Sequence, residues 1–296
     1  MSSSYLVKVR KKMDIFSQRR VRNVLSGNYG SVFKGRSLDF DDLREYNYGD
    51  DIKDIDWKAT ARSRSVMIRR YIAVRKHNIL LVADNGNTMA TMAPSGESKQ
   101  EVATFCAGVM SYVALHHGDF AGMIFGNESG NKRFTLKEDS AFVENFLDKY
   151  AKSMRINAPN SSLDTLLNYV SKTYRERCFM IILSDADSVS RIDLELVRKL
   201  HARHEIMFII IEDSPLTNEL LQSYDAVDID GKMRLSHYFR QNKKIAKAEA
   251  EYREAQRVGI RKTLRRLGIV CSFVDGTNHA IPRIVNMLEE QKHVRR

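Results

Sequence analysis

Three apolar runs in this 296-residue chain end in acids. The first reads His77-Asn-Ile-Leu-Leu-Val-Ala-Asp84-Asn-Gly-Asn-Thr88. The second is Cys178–Ser184, followed by Asp185-Ala186-Asp187, and the third is Glu205–Ile211, followed by Glu212-Asp213-Ser214-Pro215. Ile79 to Ala83 is continuously apolar, rich in branched residues and too short for an ordinary helix, so it reads as a strand buried on both faces. Such a strand delivers the Asp84 carboxylate and the Thr88 hydroxyl to the C-terminal edge of a parallel sheet, where open α/β folds place their sites. The plainer reading is a strand ending in a polar turn, and the local sequence does not separate the two. A different chemistry is offered by Asp54 and Asp56, since paired carboxylates can act as acid and base or hold a metal. No histidine or nucleophile stands beside them. An ion-pair network with Arg44 and Arg62, each able to grip a carboxylate bidentately, is the better reading.

The elements that must position these groups follow from hydrophobic period. Val9 to Leu25 places apolar residues near helical spacing among lysines and arginines, predicting a short basic amphipathic helix that ends at Ser26-Gly27. It could touch a membrane surface or pack on the main domain. Helices are predicted over Lys99–His117, Ser140–Met154, Ser161–Tyr174, Arg191–His204, Ser236–Leu267 and Ala280–Glu290, and strands over Phe120–Phe125, Lys132–Leu136, Ala226–Asp230 and Val270–Val274. Lys132–Leu136 is expected as an antiparallel edge. Asn160-Ser161-Ser162 is good helix-cap chemistry. Ile55, Trp57 and Ala59 would share one side if extended. Alternating buried strands and amphipathic helices specify an α/β fold: a doubly wound, mostly parallel sheet with helices on both faces, preceded by a small N-terminal helix and β segment. The expected division is residues 1–76 for the basic helix and short strands, and residues 77–296 for the α/β domain.

Composition narrows the function. Apolar residues make up 43% and charged residues 29%, as in a globular chain rather than a disordered one. No apolar run approaches the ~18 residues of a spanning helix, and the basic N-terminus lacks a signal-peptide core, so a cytoplasmic location is expected. Cys106, Cys178 and Cys271 stand far apart without a C-x-x-C pair, which predicts buried free thiols rather than a zinc site. A net charge of +11 invites a nucleic-acid reading, but the basic residues are interleaved with acids. Gly27-Asn-Tyr-Gly-Ser-Val-Phe-Lys-Gly35 looks like a kinase glycine-rich loop; no H-R-D or D-F-G follows, so a turn between short strands is expected. The sequence also lacks G-x-S-x-G, H-E-x-x-H and a P-loop.

The most distinctive stretch runs Arg44-Glu-Tyr46-Asn-Tyr-Gly49-Asp50-Asp51-Ile-Lys-Asp-Ile55-Asp56-Trp57-Lys-Ala-Thr-Ala61-Arg62. This R-x-Y-x-x-G-D-D-x-x-x-I-D-W-x-x-x-A-R pattern, followed by an apolar strand ending in Asp, resembles the bacterial family called domain of unknown function 58. The resemblance implies a von Willebrand factor A-like domain after the motif and a functional link to MoxR-type AAA+ ATPases. It also implies a metal-ion-dependent adhesion site of the form D-x-S-x-S, joined by a loop Thr and a later Asp. Asp84 matches the first position and Thr88 the last, while Gly86 stands where the middle Ser should be. Ser161 is the best match to the loop Thr, with Thr165 second, and Asp185 matches the final Asp. Hard oxygen ligands suit Mg²⁺. A Mg²⁺ site, with Asn85, Asn87 or water filling the gap, and a degenerate site without an ion both stand as readings.

The function expected is therefore a non-enzymatic protein-interaction module, working with a MoxR-type ATPase on a client protein complex, as adaptor or chaperone-like factor. No small-molecule substrate is expected, and association with a membrane would come through partners. The alternatives are a basic nucleic-acid-binding protein and a metal-dependent hydrolase using Asp84, Asp185 and Asp187.

Overall fold

In the computed structural model, residues 4–16, 40–63, 65–71, 76–216, 226–227, 234–235 and 242–294 are described. The glycine-rich stretch at 27–35 lies outside them. The apolar run at Ile79 becomes strand β3 (Asn78–Asp84), in which Ile79 to Ala83 have no exposed surface. It is the centre of a six-stranded sheet of order β10-β7-β6-β3-β4-β5. The other strands are β4 (Phe120–Asn127), β5 (Gly130–Lys137), β6 (Phe179–Asp185), β7 (Glu205–Ile211) and β10 (Val270–Val274). All neighbours pair in parallel except β5, which runs antiparallel to β4 at the edge, as expected.

Strand alternation sends side chains to two cores. Leu80, Val82, Met180, Ile182, Phe208 and Ile210 pack with helices α5 (Leu163–Thr173), α7 (Leu194–His201) and α8 (Lys243–Arg266). Helices α3 (Lys99–His116), α4 (Ser140–Ser153) and α9 (Thr277–Val294) supply the other layer. The doubly wound, mostly parallel α/β class is thus the observed one. In register, Ala83 lies opposite Leu183, so Asp84 and Ser184 end side by side. Asp185 ends opposite Ile211, just before Glu212 and Asp213.

Several elements differ from the pattern reading. The helix predicted over 191–204 is shorter, α7 (Leu194–His201), because Asp193 accepts from the backbone N–H of Glu195 and Leu196 and starts it there, and a separate short helix, α6 (Ala186–Ser190), precedes it. The helix expected from Ser161 starts later, at Leu163, leaving Ser161 on the preceding loop. Trp57–Thr60 is one helical turn (α2) rather than extended, because Asp56 caps it by accepting from Lys58 and Ala59 N–H. The described part of the long predicted helix is α8, and the described part of the strand expected at 226–230 is β8 (Ala226–Val227), paired with β9 (Arg234–Leu235).

The chain also divides differently from the expected 1–76 and 77–296. One unit is residues 1–32 with 78–296, and the other is residues 33–77. The N-terminal helix α1 (Tyr5–Phe16) belongs to the large unit for a physical reason. The Glu144 carboxylate, on α4, accepts from the N–H groups of Tyr5 and Leu6 at 2.9 and 2.6 Å. It thereby satisfies donors that a helix start leaves open. Val9 is buried against α3, and the Lys12 ammonium donates to Thr277 and Asn278.

In the small unit, β1 (Phe40–Glu45) and β2 (Met67–Tyr71) form a two-stranded antiparallel ribbon. Among the described residues, no helix is long and apolar enough to cross a membrane. All three cysteines are free, with Cys106 and Cys178 buried.

Candidate functional site

Four of the residues singled out by sequence meet at the C-terminal edge of the sheet. Asp84 ends β3 with its carboxylate fully engaged. Its Oδ1 accepts from Gly86 N–H at 2.8 Å, and its Oδ2 accepts from the Ser184 hydroxyl at 2.9 Å and from the Ser161 hydroxyl. Its carbonyl oxygen accepts from the Tyr150 hydroxyl at 3.0 Å. Ser161 also accepts from the Ser188 hydroxyl at 3.1 Å. Asp185 caps α6 by accepting from Ser188 N–H at 2.8 Å. The Thr88 hydroxyl oxygen is buried beside Asp185 and makes no hydrogen bond of full geometry among the described residues. Thr165 stays outside the cluster and accepts from the Ser162 hydroxyl. A polar depression of about 480 Å³ lies here, lined by Asn87, Thr88, Ser161, Asp187 and Ser188 among others.

The residue that pattern reading missed is Lys99. It opens α3, has 0% exposed surface, and points its ammonium at Asp213 Oδ1 (2.7 Å) and Asp185 Oδ2 (3.4 Å). A lysine in the first helical turn opposes the helix dipole, and that awkward placement is the one hint in the sequence that acids wait nearby. The electrostatics of the two central acids diverge. Burial, then the charge of Asp185, pushes the Asp84 carboxyl up to about 7. Burial would raise Asp185 as well, but Lys99, Thr88 and Ser188 outweigh it and hold that carboxyl below its ordinary value.

These residues fit a divalent cation poorly. Asn85 and Asn87 do offer buried side-chain oxygens without a hydrogen-bond partner among the described residues, Thr88 offers a buried hydroxyl beside Asp185, and hydroxyls with carboxylates are the right donor type. Against this, a Cβ on Gly86 would sit 2.4 Å from the Ser161 backbone nitrogen, so the missing middle serine has no space. Both Asp84 oxygens already accept hydrogen bonds, and Asp185 already has a cation. The acids of the hydrolase reading do not converge either. Asp187 faces outward and pairs with Arg191 at 2.5 Å, both side chains being exposed.

The motif residues occupy the small unit and make a scaffold of short bonds. Arg44 pairs with Asp50 at 2.6 Å, which holds that carboxyl below its usual range and the guanidinium above its own. Asp50 also accepts from Asn47 N–H at 2.9 Å, and Gly49 takes φ +106°, a conformation that side chains resist. Asp51 accepts from Lys53 N–H, and Asp56 caps α2. Of the network expected from Asp54 and Asp56, the Asp56 carboxylate serves a backbone cap and Arg62 is exposed, while the side chain of Asp54 lies outside the described residues. Tyr46 donates its N–H to the Val66 carbonyl at 2.8 Å. With the loops fixed, Tyr48 is fully exposed, Ile52 is 66% exposed and Trp57 is 67% exposed.

The sequence pattern of the family described as "Protein of unknown function DUF58" matches residues 42–230, from this motif through the sheet's central strands. The chain belongs to the DUF58 family. Relatives of this DUF58 chain include "Uncharacterized protein Rv1480" of Mycobacterium tuberculosis and "Uncharacterized protein Mb1516" of Mycobacterium bovis. Each is 23% identical over 260 residues, covering 87% of this chain and 81% of the relative. Among solved structures it is similar to BatB from Bacteroides thetaiotaomicron (15% identity, 73% of this chain and 99% of that one, TM-score 0.44). It is also similar to a von Willebrand factor type A protein from Catenulispora acidiphila (10% identity, 75% and 44%, TM-score 0.40) and to the SpRpn10 VWA domain (12%, 74% and 97%, TM-score 0.34). At these identities and scores the likeness says nothing about what the DUF58 chain binds.

Proposed function

We propose that this DUF58 chain is a non-enzymatic protein-interaction module that works with a MoxR-type AAA+ ATPase, as adaptor or chaperone-like factor for a client complex. The observation that supports it is the exposure of Tyr48, Ile52 and Trp57 within ten residues of a segment whose polar side chains fix its own loops. Large apolar side chains held outward on a pinned scaffold mark an interaction surface. Trp and Tyr carry binding energy out of proportion to their number. ATP energy would come from the partner, since the sequence has no phosphate loop.

The test is a binding titration of the full chain against the purified MoxR-type ATPase of the same genome, read by calorimetry and by ATP turnover. Binding is expected. The double variant Tyr48→Ala/Trp57→Ala should keep the far-UV spectrum and weaken binding about tenfold or more, ~1.4 kcal/mol or above. A wild-type chain that neither binds the ATPase nor changes its turnover sinks the proposal. The nucleic-acid reading has its own check: affinity for DNA or RNA that falls steeply with salt.

A further inference from the structure

We propose that Lys99 is the resident cation of the sheet's C-terminal edge, so that this chain organises the edge and binds its partners without a divalent ion. A bound ion at such an edge would gather carboxylates from neighbouring strands and fix the loops that follow them. Lys99 already does this. Its ammonium lies between Asp185, the last residue of β6, and Asp213, which follows β7, 86 and 114 positions away in sequence. It is the only lysine among the described residues with no exposed surface, and it sits where burial of an unpaired ammonium would be prohibitive. The Thr91 hydroxyl links the same loops: its one proton is donated to the Thr88 carbonyl at 2.8 Å, and its oxygen lies 3.2 Å from Asp213 Oδ1, which sets the turn after β3 against the acid after β7.

The rest of the edge is arranged as though a positive charge were permanently present. Asp84 is not left to find a cation; it takes three hydrogen bonds from within the chain, two of them from serines. Gly86 gives the Ser161 loop room to close over Asp84, and a serine side chain there would hold that loop away. A divalent ion bound to Asp84 and Asp185 would have to displace those donors and tolerate an ammonium that already contacts Asp185. Lys99 is a positioning residue in this account: it holds the loops and need not touch a partner.

The test compares wild type, Lys99→Met and Lys99→Arg as full chains, with Mn²⁺ bound in solution read by electron paramagnetic resonance and melting followed in EDTA and in Mg²⁺. Wild type and Lys99→Arg should show no saturable Mn²⁺ binding and equal melting in both buffers. Lys99→Met should melt lower in EDTA, recover part of the loss in Mg²⁺, and gain a saturable Mn²⁺ binding that wild type lacks. Loss of stability alone would follow from any buried change; a gain of ion binding would not. Saturable one-to-one Mn²⁺ binding to wild type, abolished by Asp84→Asn, overturns the proposal, as does a Lys99→Met chain that is as stable in EDTA as wild type. Should Lys99→Met not fold, the wild-type and Lys99→Arg titrations decide the question by themselves.

Discussion

Asp84 couples a single proton to the stability of the whole fold. Its carboxyl titrates near pH 7 in the folded chain, against about 3.9 in an unfolded one. The native state therefore holds the proton more tightly. The stabilisation this gives is fully present below about pH 4 and is lost as the pH rises through about 7. Three pKa steps correspond to on the order of 4 kcal/mol. Asp185, held low, acts with the opposite sign, but only in acid below its ordinary pKa of about 4. Urea midpoints for wild type should thus fall between pH 5 and 7.5, and those for Asp84→Asn should stay flatter over the same range; parallel curves would mean that Asp84 does not carry the titration. Gly86 offers a second residue-scale test. Changing Gly86 to Ser makes the D-x-S-x-S pattern complete on paper, yet its Cβ would meet the Ser161 backbone at 2.4 Å. We expect a loss of about 1–3 kcal/mol in denaturant titrations, the usual range for overpacking, and no new ion binding. A stable variant that binds Mg²⁺ would show that the Ser161 loop yields easily.

Helix α1 shows how an element can be predicted and still be assigned to the wrong body. Its basic, amphipathic character is plain from sequence, but its partners are not. Val9 is buried, and Gly108 on α3 is small where Val9 Cγ2 lies 3.0 Å from the position a Cβ would take. Val9→Ala should lower stability by about 1–2 kcal/mol, a melting shift of a few degrees, through lost burial and a residual void. No shift would imply that α1 is dispensable to the large unit. The same contrast runs through the chain. Strands β3, β6 and β7 and helices α3 and α4 were legible because period and composition are local properties. The match to the family's loop Thr was enough to bring Ser161 into the candidate set, and strand ends were enough to place Asp84 and Asp185 at one sheet edge. The break before α7 and the helical turn at Trp57 depend on single carboxylate caps, Asp193 and Asp56, which outvoted the longer pattern. Lys99 was illegible in the ordinary sense: its partners are distant in sequence, and only its awkward place in a helix's first turn hinted at them.

At the scale of the molecule, the two units should differ in how they open. The centre of the large sheet is buried on both faces, and β3, β6 and β7 are paired along both edges. Their amides should exchange with solvent only through global unfolding. The small unit rests on a two-stranded ribbon, a form that is marginal without further support, braced by the Arg44–Asp50 pair and the Asp51 and Asp56 caps. Its Met67–Tyr71 amides should exchange at a lower free energy, by local opening. Hydrogen exchange followed by mass spectrometry on the full chain can read both levels in one experiment. Adding the MoxR-type ATPase should slow exchange across residues 44–62, because a partner seated on Tyr48, Ile52 and Trp57 also holds the loops that carry them. Exchange at β3 and β6, already limited by global unfolding, should change only as far as binding stabilises the whole chain. Protection appearing instead at residues 84–88 and 185–191 would move the contact to the sheet edge. The edge ordered by Lys99 would then be the recognition surface, and the exposed aromatic residues would need another explanation.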